Sequence, residues 1–192
     1  MIDWLITWDK KIFLFIHNRM SNSFFDSIMP FIRNKYSWIP LYLIFILLII
    51  YYFRRKSWLV FIATISLVGI TDFISSSIFK PFFHRLRPCQ NPELFLHIHK
   101  TIECGTGFSF ISSHAANHFV LAVFLGLIFT EKLKWLFPFL FSWASLICFA
   151  QVYVGYHYPA DIAVGAFVGI ISGIIGTHIL KSCLKKSSSH LI

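Results

Sequence analysis

The sequence predicts an all-α integral membrane protein, a helical bundle of five or six transmembrane helices with an N-terminal amphipathic helical segment. Three observations carry that expectation. Hydrophobic residues make up 57% of the 192 residues and charged residues only 13%, a balance foreign to soluble domains. Mean hydropathy is correspondingly high, at +0.70. The apolar residues fall into continuous runs close to the roughly 20 residues that a helix needs to cross a bilayer. Basic residues cluster at the ends of those runs, as the positive-inside rule requires. The net charge of +9 is therefore a topological signal, and no nucleic-acid partner is expected.

Residues 1–35 read as amphipathic interfacial helices. Trp4, Leu5, Trp8, Ile12 and Phe15 recur at helical spacing, but Asp9-Lys10-Lys11 interrupts them. Three charges at a bilayer centre are expensive, so this helix should lie in the interface, followed by a second short one around residues 22–33. One extra span is the alternative. The apolar stretch after Lys11 is too short for a signal peptide and lacks a small-residue cleavage site.

Residues 36–181 carry the main bundle. Spans are expected at 37–53, 58–79, 114–130, 135–153 and 160–180, with residues 182–192 as a cytoplasmic tail. The first stops at Arg54-Arg55-Lys56, the third at Glu131-Lys132-Leu133-Lys134, and the last at Lys181 and Lys185-Lys186. These basic stops share one side if the spans alternate, and that side should be cytoplasmic. The 80–113 loop and the 154–159 turn then meet on the extracytoplasmic face. Gly165, Gly169 and Gly173 form a small-residue stripe that lets another helix approach closely, and Asp161 lies one step back on the same face.

Three segments on that face carry chemistry. Lys80, His84, Arg85 and Arg87 surround a turn closed by Pro88. Membrane-edge cations often only snorkel to headgroups. Here, however, Asp72, Ser75, Ser76 and Lys80 form a polar stripe on an apolar helix, and such groups face the protein interior. Ser112, Ser113 and His114 open the third span, where hydroxyls and unpaired N–H groups cap the helix and attract anions. His114 also exchanges a proton near neutral pH. His118 and Asn117 continue its face one turn deeper. His157 and Asp161 stand four apart at the start of the last span. A carboxylate there can fix the imidazole tautomer and leave the other nitrogen as nucleophile or base. Together these groups suit a phosphate on a greasy substrate.

Metal binding is the competing reading, because His114 and His118 have the i, i+4 spacing of zinc ligands. The His-Glu-x-x-His pattern is absent, and Lys80 and Arg87 would repel a cation, so neither metal nor other cofactor is expected. Cys89 and Cys104 both fall in the extracytoplasmic loop, where a disulfide can persist. A bridge would close about 15 residues and contribute ~3 kcal/mol in the chain-entropy model. Cys148 and Cys183 read as ordinary thiols.

The three segments resemble the membrane-bound type 2 phosphatidic acid phosphatase family, whose motifs also occur in vanadate-dependent haloperoxidases. The first family motif is Lys, six residues, Arg-Pro, and Lys80 to Pro88 matches it fully. The second is Pro-Ser-Gly-His, here Ile111-Ser112-Ser113-His114. The third is Ser-Arg, five residues, His, three residues, Asp, here Ala150-Gln151 followed by His157 and Asp161. The resemblance covers about residues 36–180. It implies that His157 attacks phosphorus to form a phosphohistidine, that Asp161 orients it, and that His114 protonates the leaving oxygen and then activates water. It further implies that Lys80, Arg87, Ser112 and the Ser113 N–H hold the phosphoryl oxygens, with Gln151 in place of a cradle arginine.

Two departures stand out. Gln151 removes a cation, and a charged hydrogen bond is about twice as strong as a neutral one; Arg85 is the candidate replacement. Ser113 for glycine restricts a backbone that approaches phosphate. The resemblance implies a metal-independent lipid phosphatase in a bacterial inner membrane, active at the extracytoplasmic face. Undecaprenyl diphosphate, phosphatidic acid, phosphatidylglycerol phosphate and lipid A are candidate substrates, and the short chain favours a small head such as a polyprenyl diphosphate. A non-catalytic lipid-phosphate binding or transport protein, or a zinc-dependent membrane hydrolase, is the alternative.

Overall fold

The computed structural model describes residues 2–98 and 102–189; residues 99–101 of the predicted active-site loop and 190–192 of the predicted tail lie outside them. All described regular structure is helical. Helix α1 (Ile2–Leu14) widens into a π-helical turn through Arg19. Helix α2 (Ser23–Arg33) is capped by Asn22, whose Oδ1 accepts from the Phe25 N–H at 3.0 Å. Helix α3 (Ile39–Phe53) and α4 (Ser57–Phe73) form a hairpin broken at Arg54-Arg55-Lys56. Helix α4 runs on through a π-helical turn, Ile74–Phe79, into α5 (Lys80–Phe83), which ends at His84 with φ 48°. Helices α6 (Ser113–Phe129), α7 (Leu136–Tyr153) and α8 (Pro159–Ser189) complete the chain.

Three described helical stretches are long and apolar enough to cross a membrane: 35–94, which contains the α3–α4 hairpin, 136–153 and 159–186. The shorter apolar helix α6 is the most enclosed element, buried on nearly every side from Ala115 to Phe129. A helix apolar all round belongs at the centre of such a bundle. The α3–α4 hairpin instead exposes Leu43, Leu47, Tyr51, Ile62, Ile65 and Ile70, a surface suited to lipid tails.

Helix α8 lies along α6, and the glycine stripe is the reason. A Cβ on Gly165 would meet the Ser112 carbonyl at 2.6 Å, and one on Gly173 would meet Val123 at 2.9 Å. A Cβ on Gly169 would press into the Ala116 carbonyl. The stripe therefore brings two backbones together, as the spacing predicts.

Helix α1 turns its apolar side outward. Trp4, Leu5, Trp8, Ile12 and Phe15 are exposed, whereas Asp9 is only 7% exposed. Phe13 is buried between the rings of His17 and Tyr158, and Lys10 pairs with Glu93 of the long loop. The charged interruption that marks this helix as interfacial is thus its docking face.

Candidate active site

The last helix turn of α7 sets the first histidine. The Gln151 carbonyl accepts from the N–H groups of Tyr156 at 3.0 Å and His157 at 3.3 Å. Gly155, at φ 78°, supplies the left-handed residue that this tight turn needs. Pro159 then opens α8, and Asp161 Oδ2 accepts from the Tyr158 N–H at 2.9 Å.

The His157–Asp161 pair differs in detail from the expected direct contact. His157 Nδ1 lies 3.6 Å from Asp161 Oδ2, and Ser109 sits between them. Ser109 Oγ donates to Asp161 Oδ2 at 2.5 Å and lies 3.2 Å from His157 Nδ1. A hydroxyl has a single proton, so Ser109 oxygen accepts from Nδ1–H, and Nε2 keeps its lone pair. His157 is only 1% exposed. Burial pushes it down to about 4, aided by the charges of Arg87 and Lys80 and opposed by Asp161. The imidazole is therefore neutral at pH 7, the form a nucleophile requires.

The other carboxylate oxygen, Asp161 Oδ1, accepts from Arg85 Nη1 at 2.6 Å. Arg85 Nη2 donates to Asp9 Oδ2 at 2.5 Å, and Asp9 Oδ1 accepts from the Ala160 N–H at 2.8 Å. Arg85 is thus committed between two carboxylates and does not replace the cation missing at Gln151. Asp9 and Ser109 escaped the sequence reading. The charge break in α1 was the only signal for Asp9, and nothing marked Ser109.

Arg87 is 5% exposed. Its Nε donates to the Gly107 carbonyl at 3.2 Å, its Nη2 to Thr106 at 3.4 Å, and its carbon lies 3.7 Å from the Tyr156 ring centre. Its Nη1 is buried with no hydrogen-bond partner. A buried guanidinium N–H without an acceptor calls for an anion. Cys89 and Cys104 are disulfide-bonded, with Cα atoms 5.9 Å apart, and Gln90 Nε2 donates to the Gly105 carbonyl at 2.9 Å. Both links hold the loop segment whose carbonyls accept from Arg87. Lys80 is half-buried, and Arg87, Asp72 and Asp161 all act on its charge.

Ser112 caps α6: its Oγ accepts from the Ala115 N–H at 3.3 Å, while its own N–H donates to the Asp161 carbonyl at 3.1 Å. Ser113, the first residue of α6, places its Oγ 2.8 Å from Ser75 Oγ. Among the described non-glycine residues only Arg54 and His84 have positive φ, so serine at 113 carries no backbone penalty. The His114 ring faces Tyr156 at 6.5 Å and stacks on His118 at 6.3 Å. His118 Nδ1 contacts the His114 carbonyl at 2.7 Å. Asn117 donates to Asp72 at 2.8 Å, tying α6 to α4. No three described His, Cys, Asp or Glu side chains converge in the manner of a metal site.

Gln151 is buried, and its amide is engaged by Arg33 at the end of α2. Arg33 Nε donates to Gln151 Oε1 at 3.3 Å, and Gln151 Nε2 donates to the Arg33 carbonyl at 3.5 Å. A cavity of about 1040 Å³ reaches this point, lined by Arg33, Tyr42, Val68, Asp72, His114 and Asn117. Its lining mixes apolar side chains such as Val68 and Leu121 with polar ones such as Asp72, His114 and Asn117, which suits a lipid carrying a polar head.

The chain is similar to known proteins over most of its length. The PAP2 superfamily model matches residues 57–184. The lipid A 4'-phosphatase of Bacteroides thetaiotaomicron is 34% identical over 176 residues, 90% of this chain and 77% of that protein. The crystal structure of Aquifex aeolicus LpxE superposes with a TM-score of 0.64 at 27% identity, covering 86% of this chain and 92% of that one. The first transmembrane PAP2-type phosphatidylglycerolphosphate phosphatase of Bacillus subtilis shares the fold, with a TM-score of 0.69 at 18% identity over 93% of this chain and 87% of that one.

Proposed function

This chain belongs to the PAP2 superfamily and is a membrane lipid phosphatase of that type, and from that premise we propose that it removes a phosphate monoester from the sugar headgroup of a lipid A-like glycolipid. The observation that carries the reading is the buried, neutral His157 within electrostatic reach of Arg87, whose Nη1 has no hydrogen-bond partner, while His114 lines a lipid-sized cavity. The 34% identity to a lipid A 4'-phosphatase supports a glycolipid over the small head that chain length favours. The polar lining from Asp72 and Asn117 would suit the hydroxyls of such a head.

In this reading His157 Nε2 attacks phosphorus while Ser109 and Asp161 hold the Nδ1 proton. Charge that develops on the phosphoryl oxygens is offset by Arg87, Lys80 and the N-terminus of α6 with Ser112 and Ser113. His114 gives its proton to the departing oxygen. The resulting phosphohistidine is hydrolysed by a water that His114 deprotonates, which returns both histidines to their starting states. The site opens at the extracytoplasmic face of the inner membrane, because the basic stops face the cytoplasm.

The test is release of inorganic phosphate from a panel of lipid A, undecaprenyl diphosphate, phosphatidic acid and phosphatidylglycerol phosphate in the presence of chelator. Lipid A is expected to turn over fastest, and His157→Ala should lower the rate by at least ~10⁴-fold, as loss of a nucleophile does. Turnover of another lipid class in preference to lipid A would overturn the substrate assignment. Activity lost to chelator and restored by zinc would overturn the mechanism.

A further inference from the structure

Arg33 is the last residue of α2, 118 positions away in sequence from the side chain that holds it. Two contacts fix its guanidinium. Gln151 accepts from Nε on one side, and the Tyr156 ring lies 4.3 Å from the guanidinium carbon on the other. The same ring carries Arg87 at 3.7 Å. Two like charges on one ring repel, and Arg33 and Arg87 are close enough to act on each other. An anion between or beside them would relieve that repulsion.

The remaining cations differ in a telling way. Arg85 is neutralised by Asp9 and Asp161. Among the described residues neither Arg33 nor Arg87 pairs with a carboxylate. Arg33 also lines the cavity together with His114 and acts on His114 electrostatically. Its fork is therefore oriented by an amide, desolvated by an aromatic ring, and turned to the cavity where the phosphate would sit. Gln151 carries no charge, but its oxygen orients one that does.

We propose that Arg33 is a direct ligand of the phosphoryl group, supplying from α2 the cation that position 151 lacks. The inference rests on the phosphatase reading above and assigns α2 a part in the chemistry as well as in packing. Arg33→Gln should lower kcat by ~10²-fold or more, the effect of deleting one oxyanion donor. In Arg33→Gln/Gln151→Arg the guanidinium returns from α7 into the space that Arg33 vacates, and at least tenfold of the loss should be recovered. Gln151→Arg alone, with both guanidiniums competing for one space, should be slower than the native enzyme.

A second readout needs no substrate: inorganic phosphate should raise the thermal midpoint of the native protein in detergent. That shift should shrink at least by half in Arg33→Gln and return in the double variant. Arg33→Lys keeps charge and packing but loses the fork, and serves where Arg33→Gln does not fold; it should show the same reduced phosphate response. A native phosphate shift retained in full by either variant overturns the proposal, as does a folded Arg33→Gln within threefold of native kcat. If the native protein hydrolyses no lipid yet its phosphate shift depends on Arg33, the substrate reading fails and the ligand assignment stands.

Discussion

The α6–α8 pair and the α1–α2 segment meet at one end of the molecule, and they reach it by different physics. Helices α6 and α8 touch backbone to backbone along a glycine stripe, so Ser112, His114 and Asp161 are positioned by close packing. Helices α1 and α2 offer no such stripe. Besides burying Phe13, Met29 and Ile32, they dock through charge: Asp9 to Arg85 and the Ala160 N–H, Arg33 to Gln151. Close packing tolerates almost no change in volume, whereas a charged contact at a half-open edge tolerates shape change but not loss of a partner. The contrast implies that the central pair governs whether the protein folds, and the N-terminal pair governs how well an already folded site works.

Gly169→Leu is the strongest way to break that division. A four-carbon side chain would drive α8 away from the Ala116 carbonyl, and overpacking of this kind costs ~1–3 kcal/mol or more. The thermal midpoint in detergent should drop by many degrees, with activity lost because the protein unfolds. A folded but inactive Gly169→Leu would show that the stripe tunes the site rather than the fold.

Asp9→Asn should do the opposite. It keeps shape but leaves Arg85 with one carboxylate, so Asp161 is held less firmly and kcat should fall ~10-fold, within the range of one charge-assisted hydrogen bond. The thermal midpoint should move little. A large drop in midpoint with kcat unchanged would make α1 a structural clamp and erase the comparison.

The mildest probe is pH. His157 is held at about 4 by burial, below its ordinary 6.5. The unfolded chain therefore binds a proton at a pH where the folded chain refuses it. The contribution is fully present above 6.5 and is lost as pH falls from 6.5 through about 4. Thermal midpoints measured across that window should decline more steeply for the native protein than for His157→Asn. Equal slopes would mean that His157 is already charged in the fold.

Much of this was legible because it is local. The apolar runs and their basic stops foretell α3, α4, α6 and α7 within a few residues, since span length and charge are properties of the chain itself; α8 starts where expected but runs on to Ser189, through the segment read as a tail. Lys80, Arg87, Ser112, His114, His157 and Asp161 were legible from short spacings, and the structure gathers them at one end of the bundle. Ser109 was not, because a serine flanked by phenylalanines advertises nothing until the loop folds over Asp161. Arg33 and Asp9 were not, because their partners lie 118 and 76 positions away. The apolar face of α1 is exposed while Asp9 points inward, and a pattern one turn wide cannot say what lies across from it.

The bond from the Ala160 N–H to Asp9 spans 151 positions, and this has a consequence for biosynthesis. The ribosome releases α1 first and α8 last, so Asp9 waits through the insertion of every other helix before it meets its partner. Arg85 can join Asp9 before α8 is made, but the Ala160 N–H and Asp161 arrive only with α8. A chain that stops before α8 would therefore hold Arg85 against Asp9 yet lack both the Ala160 N–H and Asp161. The first turn of the last helix is thus what closes the network between the two ends of the polypeptide.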